Sequence, residues 1–160
     1  MQIITRAIGD GALGLDNPLI ERLFLSRGLT HAGETDKGLG SLLSPAGLTD
    51  IETAAQRIAD AVMDSQRILI VGDYDADGAT SVALCKLALA AMGAESVDFL
   101  VPDRFQFGYG LSPAIVAVAA QLEPDLLITV DNGVSSIEGV AAANTAGIEV
   151  IVSDHHLPGA

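Results

Sequence analysis

Tryptophan is absent from this chain, cysteine occurs once, and eight basic residues stand against 21 acids. Each shortage excludes something. A single thiol, Cys85, cannot build a disulfide framework within the chain, which fits a reducing, cytoplasmic setting. Aromatics make up only 4% of residues, so the 49% hydrophobic content rests on Ala, Val, Ile and Leu. That mixture suits helices packed on a buried parallel sheet. A formal net charge of −13 leaves no basic stripe of the kind that marks nucleic-acid-binding modules. Residues 1–15 carry Arg6 and Asp10 and lack a compact apolar run ahead of a cleavage site, so no signal peptide is expected. The longest uncharged stretch, residues 105–122, contains Gly108, Gly110 and Pro113 and does not read as a membrane span.

What is present becomes regular only after the first third of the chain. Residues 1–48 read as an irregular, Gly-rich leader with one short helix starting at Asn17-Pro18, a cap followed by proline at the first helical position. Residues 49–160 read as the main domain. Thr49 and Glu52 have capping-box spacing, and Ile51, Ala54, Ala55, Ile58 and Val62 follow at helical intervals. Strands are then expected at 68–71, 97–101, 126–130 and 148–152. Between them the spacing predicts helices over 80–92, 112–121 and 136–146, two of them closed by Gly93 and Gly147. Strands alternating with helices define an α/β fold, a Rossmann-like parallel sheet flanked by helices. Ligands bind such sheets beyond the carboxyl ends of the strands.

Three of those strand ends carry the chemistry. The first runs into Gly72-Asp73-Tyr74-Asp75-Ala76-Asp77-Gly78, the third into Asp131-Asn132-Gly133, and the fourth into Ser153-Asp154-His155-His156. Five carboxylates on one edge repel one another unless a cation bridges them. Carboxylates mixed with imidazole suit Mn²⁺, Mg²⁺, Fe²⁺ or Zn²⁺ better than Ca²⁺. Single-motif readings fail in detail. An EF-hand loop starting at Asp73 needs a bidentate Glu where Leu84 stands. The nucleophile motif of haloacid dehalogenase-type phosphatases, sought at Asp75-Ala76-Asp77-Gly78, needs Thr directly after the glycine, where Ala79 intervenes. Taken alone, Asp131-Asn132-Gly133 is turn chemistry and His155-His156 a solvated loop. Their coincidence at three ends of one sheet overrides those readings.

Asp154-His155-His156 after an apolar strand resembles the signature of the DHH phosphoesterases, and the two earlier clusters resemble that family's first and second motifs. Within the family, the RecJ-type branch is the most similar. Val101-Pro102-Asp103-Arg104-Phe105, Gly108-Tyr109-Gly110-Leu111-Ser112 and the run from Val152 through Leu157-Pro158-Gly159 carry that likeness. The resemblance implies two divalent ions, Mn²⁺ or Mg²⁺. Asp75 and Asp77 would each serve one metal, Asp131 would bridge both, and His155 would be a ligand. His156 would line the site at the scissile phosphate, and Asp154 would orient a histidine or complete the metal set. Asp73 is a further metal candidate. Arg104 is the expected cationic contact to a substrate phosphate, and Tyr109 the expected surface for base stacking.

The implied reaction is hydrolysis of a phosphodiester, with the ions acidifying water and stabilising charge on the attacking and leaving oxygens. The implied substrate is single-stranded DNA, digested 5′ to 3′ to mononucleotides in recombination and repair, with proteins of those processes as further partners. Two departures from the family pattern stand out. Val71 occupies a position where many members have histidine, and a fourth motif with another metal-binding Asp, the DHHA1 domain and an OB-fold are missing. The chain is therefore expected to be an N-terminal fragment or a truncated product. Other readings of the same residues are a nanoRNase, a cyclic-dinucleotide phosphodiesterase, a pyrophosphatase, or a scaffold that keeps the fold without catalysis.

Overall fold

The computed structural model describes residues 7–9 and 11–158; Gly159, at the end of the third motif, lies outside them. The chain divides into two compact units, Met1–Leu48 and Thr49–Ala160. In the first unit, helix α1 (Pro18–Leu25) starts on Asn17, whose side chain accepts the backbone N–H groups of Leu19 and Ile20. Glu21 reaches back to accept the N–H groups of Leu13 and Gly14 at 2.6 and 3.0 Å. The other regular elements among its described residues are short 3₁₀ turns at Ala32–Thr35, Leu39–Ser41 and Pro45–Gly47.

The second unit opens with α2 (Ile51–Met63). The expected capping box does not form. Asp50, not Thr49, is the capping residue; it takes a left-handed φ of 55° and makes no side-chain cap hydrogen bond. The four strands are β1 (Arg67–Val71), β2 (Ser96–Leu100), β3 (Leu126–Val130) and β4 (Glu149–Ser153). They pair in parallel in the order β2-β1-β3-β4. Helices α3 (Ala76–Ala91), α4 (Arg104–Phe107), α5 (Pro113–Ala119) and α6 (Ile137–Thr145) fill the connections. Most boundaries shift by one or two residues from the sequence reading, and two helices depart from it further. Helix α3 starts four residues earlier than expected, because the Asp75 carboxylate accepts the Gly78 N–H and nucleates the turn. Helix α4 had no apolar periodicity to announce it; it is a single turn capped by the Asp103 carboxylate on the Phe105 N–H.

Strand alternation divides the core between the two faces. Leu69, Val71 and Leu127 pack with Ile115, Val116 and Ala119 of α5 and Ala143 of α6. Ile68, Ile70, Leu126, Ile128 and Val130 pack with Ala61 of α2 and Val82 and Leu89 of α3. The sheet is thus sandwiched between helical layers, with β1 and β3 central and buried. From β1 the chain crosses to β2 on one side, then returns past β1 to β3 and β4 on the other. The point where the winding reverses lies between the carboxyl ends of β1 and β3, where a crevice for ligands is expected.

Two packing features are open to direct test. A Cβ built on Gly139 would lie 2.0 Å from the Leu111 carbonyl oxygen. Gly139→Ala should therefore destabilise the protein by about 1–3 kcal/mol through overpacking, despite alanine's better helix propensity. Urea unfolding measures this, and unchanged stability would contradict the close approach. Burial pushes the Cys85 thiol up, so less thiolate is present at a given pH. Alkylation by iodoacetamide at pH 8 should run slower on the native protein than on the urea-unfolded chain.

Candidate metal centre

The backbone at the ends of β1, β3 and β4 is tied together before any side-chain chemistry begins. The Asn132 amide donates to the Val71 and Val130 carbonyls at 3.1 and 2.9 Å. The Asp131 N–H donates to the Ser153 carbonyl at 2.9 Å. Asp131 itself takes φ 62°, a left-handed conformation that costs a non-glycine residue energy. Gly133, at φ 115°, follows closely because a Cβ there would meet Thr129 Oγ1 at 2.6 Å. This strained turn sets a carboxylate at the winding reversal.

Asp131 is 7% exposed, and its Oδ1 is buried without a hydrogen-bond partner. Burial pushes its carboxyl above the ordinary carboxylate range, and Asp77 and Asp75 push it further, with His155 opposing. His155 Nε2 lies 2.9 Å from Asp131 Oδ1 and 3.8 Å from Asp77 Oδ2. The contact to Asp131 lacks the line-up of a hydrogen bond; with its proton on Nδ1, His155 would turn the Nε2 lone pair to the same point as the Asp131 oxygen. Two constellations of possible ligand atoms share this aspartate. One comprises Asp131, His155 and His156, the other Asp73, Asp75 and Asp131.

The neighbours of these groups are specific. Asp75 has its carboxyl held below the usual range by the Gly78 N–H, against a smaller cost of burial and with help from Asp77 and Arg104. Asp154 accepts from the Val134 N–H at 2.9 Å, the His156 N–H at 3.0 Å and the His156 ring at 2.7 Å. Burial raises the Asp154 carboxyl, but those donors outweigh it and the net shift is downward. Asp154 raises His156 in turn. In the neutral ring, a proton on Nδ1 directed at Asp154 would leave the Nε2 lone pair available to a ligand. The Tyr109 hydroxyl approaches His156 Nδ1 at 3.1 Å and the Asp131 carbonyl at 3.2 Å. Burial, followed by Asp154, raises the Tyr109 phenol, so it remains a neutral donor.

Asp73 lies within reach of this convergence but is paired with Arg104. The guanidinium grips the Asp73 carboxylate by two parallel bonds, Nε to Oδ1 at 2.9 Å and Nη2 to Oδ2. It also reaches Asp75 Oδ2 at 3.4 Å. Every candidate in the three strand-end clusters therefore lies at the carboxyl edge of the sheet, with Arg104 and Tyr109 beside them. Sequence reasoning missed two members. Asn132 passed for a turn residue although it is 2% exposed and locks two strand ends. Tyr74 was hidden between two acids, and its ring lies 4.3 Å below the Arg104 guanidinium; no periodicity marks such a position.

Comparison with known proteins agrees with this geometry. Residues 67–160 match the family model described as DHH family, N-terminal domain. Over 142 residues the chain is 48% identical to the single-stranded-DNA-specific exonuclease RecJ of Salmonella typhimurium and 47% to that of Escherichia coli. Each alignment takes in 89% of this chain and 25% of the relative, so the chain spans about a quarter of the length of the curated proteins it matches. Two solved structures resemble it. The first, exonuclease RecJ bound to manganese, gives a TM-score of 0.66 at 37% identity, covering 74% of this chain and 30% of that one. The second, RecJ in complex with Mn²⁺ from Thermus thermophilus, gives 0.62 at 34%, covering 83% and 18%. Matched over more than half its length, and carrying all three strand-end motifs in order, the chain belongs to the DHH family.

Proposed function

We propose that this chain forms the metal-binding part of a phosphodiesterase that removes mononucleotides from single-stranded DNA in the 5′-to-3′ direction. The observation that carries this reading is the position of Asp131, a buried, strained aspartate at the winding reversal that faces His155 at 2.9 Å, with the exposed carboxylates of Asp75 and Asp77 beside it. A carboxylate has two oxygens and can serve two ions at once, which suits a pair of Mn²⁺ or Mg²⁺ ions about 3.5–4 Å apart. Asp75, Asp77 and His155 would complete the ligand set, and Asp154 would fix the His156 ring. Ions held there would acidify water and stabilise the charge on both oxygens of the displaced phosphodiester. His156, with its Nε2 free, and Arg104 would face the phosphate, and Tyr109, half exposed, would offer a ring to a base. Support for the substrate comes from the relatives, which are named as single-stranded-DNA-specific exonucleases.

The test begins with Mn²⁺ titration calorimetry on the chain and on Asp131→Ala. Wild-type binding should be lost in the variant by at least about tenfold, since removing a shared ligand weakens both positions. Undiminished binding by Asp131→Ala would remove the metal centre from this edge. Release of labelled mononucleotide from 5′-labelled single-stranded DNA in Mn²⁺ is the expected activity. Hydrolysis confined to dinucleotides or to pyrophosphate would instead assign the chain to another branch of the family.

A further inference from the structure

The sequence offers Asp73 as one more metal candidate, and its oxygens do fall within reach of those of Asp75 and Asp131. Its bonding says otherwise. Asp73 is 6% exposed, and its Oδ1 already accepts the Tyr74 N–H at 2.8 Å and Arg104 Nε at 2.9 Å. Oδ2 accepts Arg104 Nη2. Three of the roughly four acceptor positions of this carboxylate are thus taken, so an ion would have to share Oδ2 with Arg104 Nη2 or break the fork and leave a buried charge without its partner, which is costly. The Asp73 backbone cannot shift to relieve this. The first turn of α3 lies directly on it, so close that a Cβ on Gly78 would stand 2.5 Å from the Asp73 carbonyl oxygen and 2.8 Å from its Cα. Asp75 and Asp77, by contrast, are 46% and 64% exposed at their side chains and open to an ion.

Arg104 is held as firmly from its other sides. Its guanidinium carbon lies 4.3 Å from the Tyr74 ring centre and 5.1 Å from that of Tyr109, cation–π distances for both rings. Nε and Nη2 are engaged, while Nη1 has no hydrogen-bond partner among the described residues. The side chain remains one-third exposed. A guanidinium fixed on three sides and open on one loses little freedom when it takes a phosphate oxygen. We infer that Asp73 is a positioning residue, which holds Arg104 between Tyr74 and Tyr109 as a fixed phosphate-binding cation and leaves the metals to Asp75, Asp77, Asp131 and His155. This rests on the metal-dependent phosphodiesterase reading and adds to it a division of labour among neighbouring aspartates.

The experiment follows Arg104 and the metal separately. In ¹⁵N-labelled, metal-free protein the Arg104 Nε–H should give a resolved, slowly exchanging NMR signal, lost in Asp73→Asn. Asp73→Asn should keep Mn²⁺ affinity within about threefold, since no ligand is removed. It should also weaken a 5′-phosphorylated, phosphorothioate-linked thymidine dinucleotide roughly tenfold, as should Arg104→Ala. The double variant should be no weaker than Arg104→Ala alone, because both act through one contact. Arg104→Lys, which keeps a cation beside the buried Asp73 and removes the fork, guards against a folding defect in Asp73→Asn; it too should lose dinucleotide affinity. Loss of Mn²⁺ binding in Asp73→Asn as complete as in Asp131→Ala would overturn the inference. So would additive losses in the double variant, an Nε–H signal indifferent to Asp73, or full-strength binding by Arg104→Lys. If the wild type bound no Mn²⁺, only the metal reading would fall, and the metal-free signal would still decide whether Asp73 anchors Arg104.

Discussion

Like charges brought to one edge of a sheet must be compensated, and the second unit is organised around that constraint. Parallel strands deliver their carboxyl ends to the same side by construction, and the order β2-β1-β3-β4 makes the three chemically loaded ends neighbours. The core fixes this arrangement. β1 and β3 are buried on both faces by aliphatic side chains that alternate between two helical layers, so a slip of register would exchange one set of core contacts for the other. Asp131 has nowhere to retreat at the end of such a strand. Its left-handed backbone, the Asn132 amide spanning two strand ends and the tight turn at Gly133 hold a carboxylate where burial and neighbouring acids both disfavour its charge. A divalent ion relieves both penalties together.

Compensation is unevenly shared among the five aspartates. Asp73 is neutralised within the protein by Arg104, and Asp154 by backbone N–H groups and the His156 ring. Asp75 is partly satisfied by the first turn of α3. That leaves Asp77 and Asp131, which face His155 at 3.8 and 2.9 Å. The carboxylates with the least internal compensation are thus the ones converging on an imidazole with no aligned hydrogen bond. In a cluster of acids, the members already satisfied by arginine or by backbone donors are the poorer ligands, because binding an ion forfeits what they have.

How much of this could be read in the sequence follows from the range of the forces involved. The strand at 126–130 matches the structure residue for residue, because five consecutive buried side chains leave a continuous apolar run. The meeting of the three clusters was equally legible, since strand direction alone puts residues 73–77, 131 and 154–156 on one edge. Local bonding was not. The Thr49–Glu52 pair has the spacing of a capping box, yet the chain enters α2 through a left-handed Asp50. The early start of α3 depends on one carboxylate finding an N–H three residues on, a choice that periodicity does not record. The Asp73–Arg104 fork joins residues 31 positions apart, and nothing in either neighbourhood distinguishes a carboxylate bound for an ion from one bound for a guanidinium.

The acidic composition, which at first argues against a nucleic-acid ligand, takes on a different meaning once charges are placed. Arg67 and Arg57 belong to the opposite, amino edge of the sheet, where they pair with Glu123 and Glu149. Lys86 lies over the Phe99 ring on β2. Among the described residues of the second unit, Arg104 is the cation beside the strand-end acids, and two of its three guanidinium nitrogens are committed to Asp73. A polyanion approaching this edge would meet net negative charge unless ions were already seated among Asp75, Asp77 and Asp131, where they would reverse the local sign. Under the proposed function, metal binding is then a condition of substrate binding as well as of chemistry. Arg104, fixed beside the ions, contributes direction more than charge, because its free Nη1 can address a phosphate only along the line that the fork and the two tyrosine rings allow.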